Sequence, residues 1–143
     1  MKQKIALSLV VMSLILSVLA IPASAVTKTK STPYGTLTAY LTSTKYYDSS
    51  TLKGKRINYS SLCSKTAPRI IASAEVLRWS DGKYLYDEKV DRTNTDYAGY
   101  DIYTDHFREK YGDDFYTTKI SVYGAHEIRG SSSYGIYTQL VGV

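Results

Sequence analysis

The chain has 143 residues, a formal charge of +5, and one cysteine against fifteen tyrosines. That length allows a single ordinary domain after removal of a leader, and a lone cysteine excludes an intramolecular disulfide framework. The positive surplus is thin and dispersed, densest at Lys53-Gly54-Lys55-Arg56, so the concentrated basic face of a nucleic-acid binder is lacking.

Lys2 and Lys4 precede an apolar run from Ile5 to Ile21, which ends in the small residues Ala23-Ser24-Ala25. This is the order of a secretory signal peptide, with cleavage expected after Ala25. Residues 1–25 are therefore read as a removed leader, 26–33 as a flexible Thr/Lys/Ser-rich stretch, and 34–143 as one domain. Cleavage leaves 118 of the 143 residues and lowers the formal charge from +5 to +3, because Lys2 and Lys4 depart with the leader. The expectation is a monomeric exported protein, secreted or associated with the cell wall, with no membrane attachment after cleavage. A small exported domain with so little cysteine fits a Gram-positive bacterium.

Tyr34 to Thr42 alternates, with Leu37, Ala39 and Leu41 on one face and threonines and Tyr40 on the other, which reads as a half-buried strand. Ser43 to Lys55 is polar, with Gly54 as a turn candidate, and a short strand is expected over Arg56 to Ser60. Arg69 to Asp91 is the strongest local signal, a long β-hairpin around Ser80-Asp81-Gly82. A three-residue loop with Gly82 left-handed sets Val76 against Tyr86, Arg78 against Tyr84 and Ala72 against Val90, collecting the apolar residues on one face. The fit has two blemishes: Glu75 faces Asp87, and Ala74 faces Glu88 on the apolar side.

Arg92 to Gly99 has loop composition. Tyr103, Phe107 and Tyr111 recur four residues apart, which predicts one short helix near 103–111, stopped by Gly112. Phe115 to Arg129 alternates as a strand, Gly130 to Ser133 turns, and Tyr134 to Val141 returns, with Gly124 and Gly135 as expected bulges. The sum is an all-β fold, a small antiparallel β-sandwich (immunoglobulin-like or similar) of six or seven strands with at most that helix.

Tyrosine, at fifteen against two phenylalanines and one tryptophan, is the compositional outlier. Its apolar ring and polar tip suit half-wet strand faces, so packing explains much of it; tyrosines in loops and at edges are harder to explain that way. Tyr46, Tyr47, Trp79, Tyr97, Tyr100 and Tyr103 are the expected ligand-binding residues, with a wall glycan or an extracellular protein as partner.

Catalytic signals are weak. His126-Glu127 lacks a second histidine four residues on, since that position is Gly130, and the other histidine is His106. His126 is expected on the core face, bonded to backbone or to a tyrosine. The serines 131–133 lack a nucleophile elbow, and Asp91, Asn94, Asp96 and Asp101 lack the spacing of a calcium loop. Cys63 is read as a small buried residue. The sequence thus calls for no metal, no cofactor and no catalytic residues. The expectation is a secreted non-catalytic binding protein. The alternative is a secreted inhibitor or toxin-like effector that inserts the 92–101 segment into a protein target.

Overall fold

The computed structural model describes residues 24–105 and 118–143. Six antiparallel strands run in chain order: β1 (Ser24–Thr32), β2 (Gly35–Asp48), β3 (Thr51–Arg78), β4 (Tyr84–Tyr103), β5 (Ile120–Arg129) and β6 (Ser133–Leu140). They form one sheet in the order β1-β2-β3-β5-β6, with β4 on the other side of β3. The sheet is curled until it is nearly barrel-shaped, and it does not divide into the two layers of the expected sandwich.

The reason lies in β3, which is 28 residues long and serves both halves of the molecule. Its first half pairs with β2 and its second half with β5, along the same edge, while β4 follows the opposite edge throughout. Between the halves, the ladder to β4 shifts register between Leu62 and Ala67, and Ser64, Lys65 and Thr66 are exposed. Pro68, which has no amide to donate, sits beside this irregularity, where a strand tolerates it. The two ends of β3 then meet residues 118–119: Lys55 Nζ donates to the Thr118 carbonyl at 2.7 Å, and the Trp79 amide to the Lys119 carbonyl at 3.1 Å. A single bend therefore replaces the gap between two sheets.

The inward residues match the alternation in the sequence. Leu37 and Leu41 of β2, Ile57, Tyr59, Ile70, Ala72 and Val76 of β3, and Val122 and Ile128 of β5 share one buried cluster. The central hairpin keeps its predicted register, Val76 against Tyr86 and Ala72 against Val90, and Gly82 is left-handed at φ 67°. Its tip differs: a bulge after Val76 sets Leu77, not Arg78, against Tyr84, and Arg78 N donates to the Lys83 carbonyl at 2.8 Å to close a wider turn.

Other expectations are corrected. Within 26–33, read as a flexible leader, residues 26–32 pair with β2 from Gly35 to Leu41, and Ser24 and Ala25 extend the same ladder. On the far side, the ammoniums of Lys28 and Lys30 donate to the carbonyls of Tyr137 (2.8 Å) and Gly135 (3.3 Å) in β6, so side chains tie β1 to β6. The polar 43–55 stretch is strand on both sides of a turn at Ser49, whose φ is 55°. Arg92 to Gly99 belongs to β4. Among the described residues there is no helix; Tyr103 ends a strand, and 106–111 of the expected helix lies outside them, as does the signal segment 1–23. Gly124 and Gly135 are in register with Thr138 and Glu127 and mark no bulge.

Candidate functional site

The bend in β3 bends β4 with it, and the two arms of β4 face each other at the open side of the curled sheet. Between them lies a cleft of about 780 Å³, within the size range of ligand sites. One arm supplies Leu85, Tyr86 and Glu88; the other supplies Tyr97, Gly99, Tyr100, Asp101, Ile102 and Tyr103; Asn58 completes the lining.

The register explains which side chains come together. Tyr100 lies opposite Tyr59 and shares its inward face, yet Tyr59 is fully buried whereas Tyr100 is 58% exposed. The difference arises because β4 has no further strand beyond it among the described residues, so its inward face opens to solvent. Tyr86 and Glu88 lie opposite Val76 and Ala74, again on the inward face. On the outward face, Asp101 accepts from Asn58 Nδ2 at 2.8 Å and from Arg56 Nη2 at 2.6 Å. Tyr103 is braced by Tyr46, edge to face with ring centroids 4.8 Å apart.

Gly99 sets the approach of the two strands. A Cβ there would stand 2.9 Å from the Tyr59 carbonyl, 2.5 Å from Ser60 Cβ and 2.6 Å from the Tyr97 hydroxyl. Only a glycine lets β4 lie this close to β3 while the Tyr97 ring folds back over it. Glu88 makes no ion pair among the described residues. Beside it, the Tyr59 hydroxyl is buried and closes no hydrogen bond of ordinary geometry among the described residues. Burial first, then the charge of Glu88, pushes the ionisation of Tyr59 well above the ordinary phenol range; the same two causes raise Tyr86. Glu88 approaches both rings without closing a bond of ordinary geometry to Tyr59.

Of the six tyrosine and tryptophan positions expected to bind, Tyr97, Tyr100 and Tyr103 come together in the cleft, and Tyr46 packs against Tyr103 without lining it. Tyr47 is half exposed at the β2–β3 turn and does not line it. Trp79 sits at the tip of the β3–β4 hairpin, under the Lys119 ammonium (5.3 Å to the ring centroid), and is also outside it. Sequence reasoning missed Tyr86, Glu88, Gly99 and Asn58. The signal for Gly99 was a glycine within a tyrosine-rich run, and that for Glu88 was its misfit on an apolar face.

His126 is placed differently. It is fully buried on β5, with Nδ1 3.0 Å from Ser61 Oγ and Nε2 2.9 Å from Thr138 Oγ1. Its partners are two hydroxyls and, more weakly, the Ser60 backbone; of the two expected partners the backbone is present and a tyrosine is not. The distances resemble a serine–histidine catalytic pair, but the direction is reversed. Ser61 spends its one proton on the Ile71 carbonyl at 2.7 Å and can only accept from Nδ1, leaving Nε2 to accept from Thr138. Burial pushes the imidazole down to about 4, against a weaker opposing bond to the Ser60 backbone, so it is neutral at ordinary pH. Cys63 is buried, with Sγ 3.4 Å from the Tyr34 carbonyl. Asp91 and Asp101, weighed as calcium ligands, are engaged by Arg69 and Arg56.

Comparison with family models, with curated proteins and with solved structures finds no match for this chain.

Proposed function

We propose that this chain is an exported, non-catalytic binding protein whose β4 cleft takes an extracellular glycan. One observation carries the reading: Tyr86, Tyr97, Tyr100 and Tyr103 are gathered around one open cleft together with Asn58, Glu88 and Asp101. Half-exposed phenol rings offer flat apolar faces to the C–H faces of sugar rings, and amide and carboxylate oxygens between them can bond hydroxyls. Packing needs alone do not account for Tyr97 and Tyr100, which leave about half of their surface in water (48% and 58% exposed).

The inhibitor reading rested on 92–101 protruding as a loop, and that segment is strand. A protein partner retains one point in its favour, because the outer edge of β4 is unpaired among the described residues and could accept another strand.

The test is retention of the exported chain on insoluble peptidoglycan and a panel of polysaccharides at low and high salt. Retention that survives salt and is lost in Tyr97→Ala and Tyr100→Ala supports the reading. Retention unchanged in both variants, with the fold intact by circular dichroism, overturns this site. No retention on any glycan favours the protein partner.

A further inference from the structure

We infer that the glycan carries free amino groups, and that Glu88 with the rings of Tyr86 and Tyr100 receives the ammonium of a de-N-acetylated amino sugar. This rests on the glycan reading above and narrows its ligand class. Among the described residues, the cleft is lined by two carboxylates and by no lysine or arginine, although the chain as a whole is basic. The two acids are not equivalent. Asp101 is already bound by the Arg56 guanidinium and Asn58 on the outward face, whereas Glu88, on the inward face, meets only the neutral phenols of Tyr86 and Tyr59 and has no ion-pair partner among the described residues. A carboxylate among aromatic rings, partly withdrawn from water, is stabilised by an incoming cation more than by a neutral hydroxyl.

A further feature fits a cationic guest. Tyrosine rings carry negative faces, which attract an ammonium and give an uncharged acetamide far less. A sugar is favoured over a lysine side chain of a peptide because the site offers several ring-sized faces and separate oxygens on both arms. A lysine would use only the carboxylate end.

The experiment compares oligomers of glucosamine with oligomers of N-acetylglucosamine of equal length, titrated into the exported chain at about pH 6, where the amines are charged, and followed by calorimetry. The expected result is binding of the glucosamine oligomer roughly tenfold tighter than the acetylated one. In Glu88→Gln, checked for folding by circular dichroism, the preference collapses while weak binding of both oligomers remains; in Tyr100→Ala both are lost. Because the protein is itself positively charged, general electrostatics would repel the cationic oligomer, so the preference must be local. Equal affinity for the two oligomers overturns the inference and leaves the glycan reading standing. A preference that persists in Glu88→Gln overturns the assignment to this carboxylate. Binding of oligolysine as tight as that of the glucosamine oligomer, and equally dependent on Glu88, replaces the sugar with a cationic peptide. Failure of both sugars to bind overturns the glycan reading as well.

Discussion

Acid should destabilise this fold in a window that belongs to one side chain. His126 is held neutral in the core, its ionisation lowered from the usual 6.5 to about 4, chiefly by burial. The sign follows from which state takes up the proton. Above the ordinary value both folded and unfolded chains are neutral at this position, and the full stability is present. As pH falls from 6.5 towards 4, the unfolded chain binds a proton that the native site refuses, so stability falls; below that both states are charged and the loss levels off. A difference of this size, at about 1.4 kcal/mol per unit, comes to roughly 3 kcal/mol. That is a large share of the ~5–15 kcal/mol that holds a domain together. Asp81 and Asp91 are lowered from 3.8 by their arginine partners, so their contributions are lost only at still lower pH and fall outside the window. The assay is urea unfolding at several pH values, followed by far-UV circular dichroism, for the native chain and for His126→Gln. Glutamine keeps a donor and an acceptor but cannot titrate, so this variant starts from a lower plateau and shows a flatter slope. Subtracting the two curves also removes any contribution from His106. A native chain equally stable at both ends of the window, or a variant with an unchanged slope, would refute the reasoning.

Three other outcomes follow from the packing. Gly130→Ala drives a Cβ into the Tyr34 ring, whose hydroxyl accepts from the Ser131 amide at 2.8 Å; it should cost ~1–3 kcal/mol in urea unfolding. In a Tyr34→Ala background the same change should be nearly free, and simple additivity would show that the two residues do not collide. Gly99→Ala should lower stability by ~1–3 kcal/mol and abolish retention on glycan even at temperatures where the fold is intact; unaltered binding would mean that the spacing of β3 and β4 does not shape the cleft. Cys63 should resist a thiol reagent in the native protein and react fully in urea, and rapid native labelling would place it at the surface.

How much of this was legible in the sequence depends on which force fixed each element. Where burial did, the alternation predicted it: Leu37-Ala39-Leu41, Ile70-Ala72-Ala74-Val76, and His126-Ile128 all point inward as expected. Where main-chain pairing alone did, it was missed. The 26–32 segment is exposed on nearly every residue and is held by its ladder to β2 and by two lysines reaching β6. Residues 92–99 look like a loop because Thr, Asn, Asp and Gly are common in turns, yet the edge of β3 pairs with them regardless. The glycines were recognised as special but given the wrong cause. A Cβ on Gly124 would meet His126 Nε2 at 2.8 Å and the Thr138 hydroxyl, so that glycine makes room for the buried imidazole.

The site divides along the same line, and more instructively. Tyr97, Tyr100 and Tyr103 could be chosen from composition because they lie within seven residues of one another. Tyr86 and Glu88 could not be joined to them, since only the bend of β3 brings the two arms of β4 together. Trp79 and Tyr47 were equally plausible by residue type, and their positions at hairpin tips removed them. Yet the sequence held one usable sign of the second arm. The register that best satisfied the hairpin still put Glu88 on the apolar face opposite Ala74, and the fold keeps that pairing. A carboxylate in an inward row weakens the row unless the face opens or the charge meets a partner. Here the face opens, at the edge strand, into the cleft that the tyrosines line. A local rule broken without a local remedy is where function is most economically sought, and the residue that spoiled the pattern is the one on which the proposed ligand preference turns.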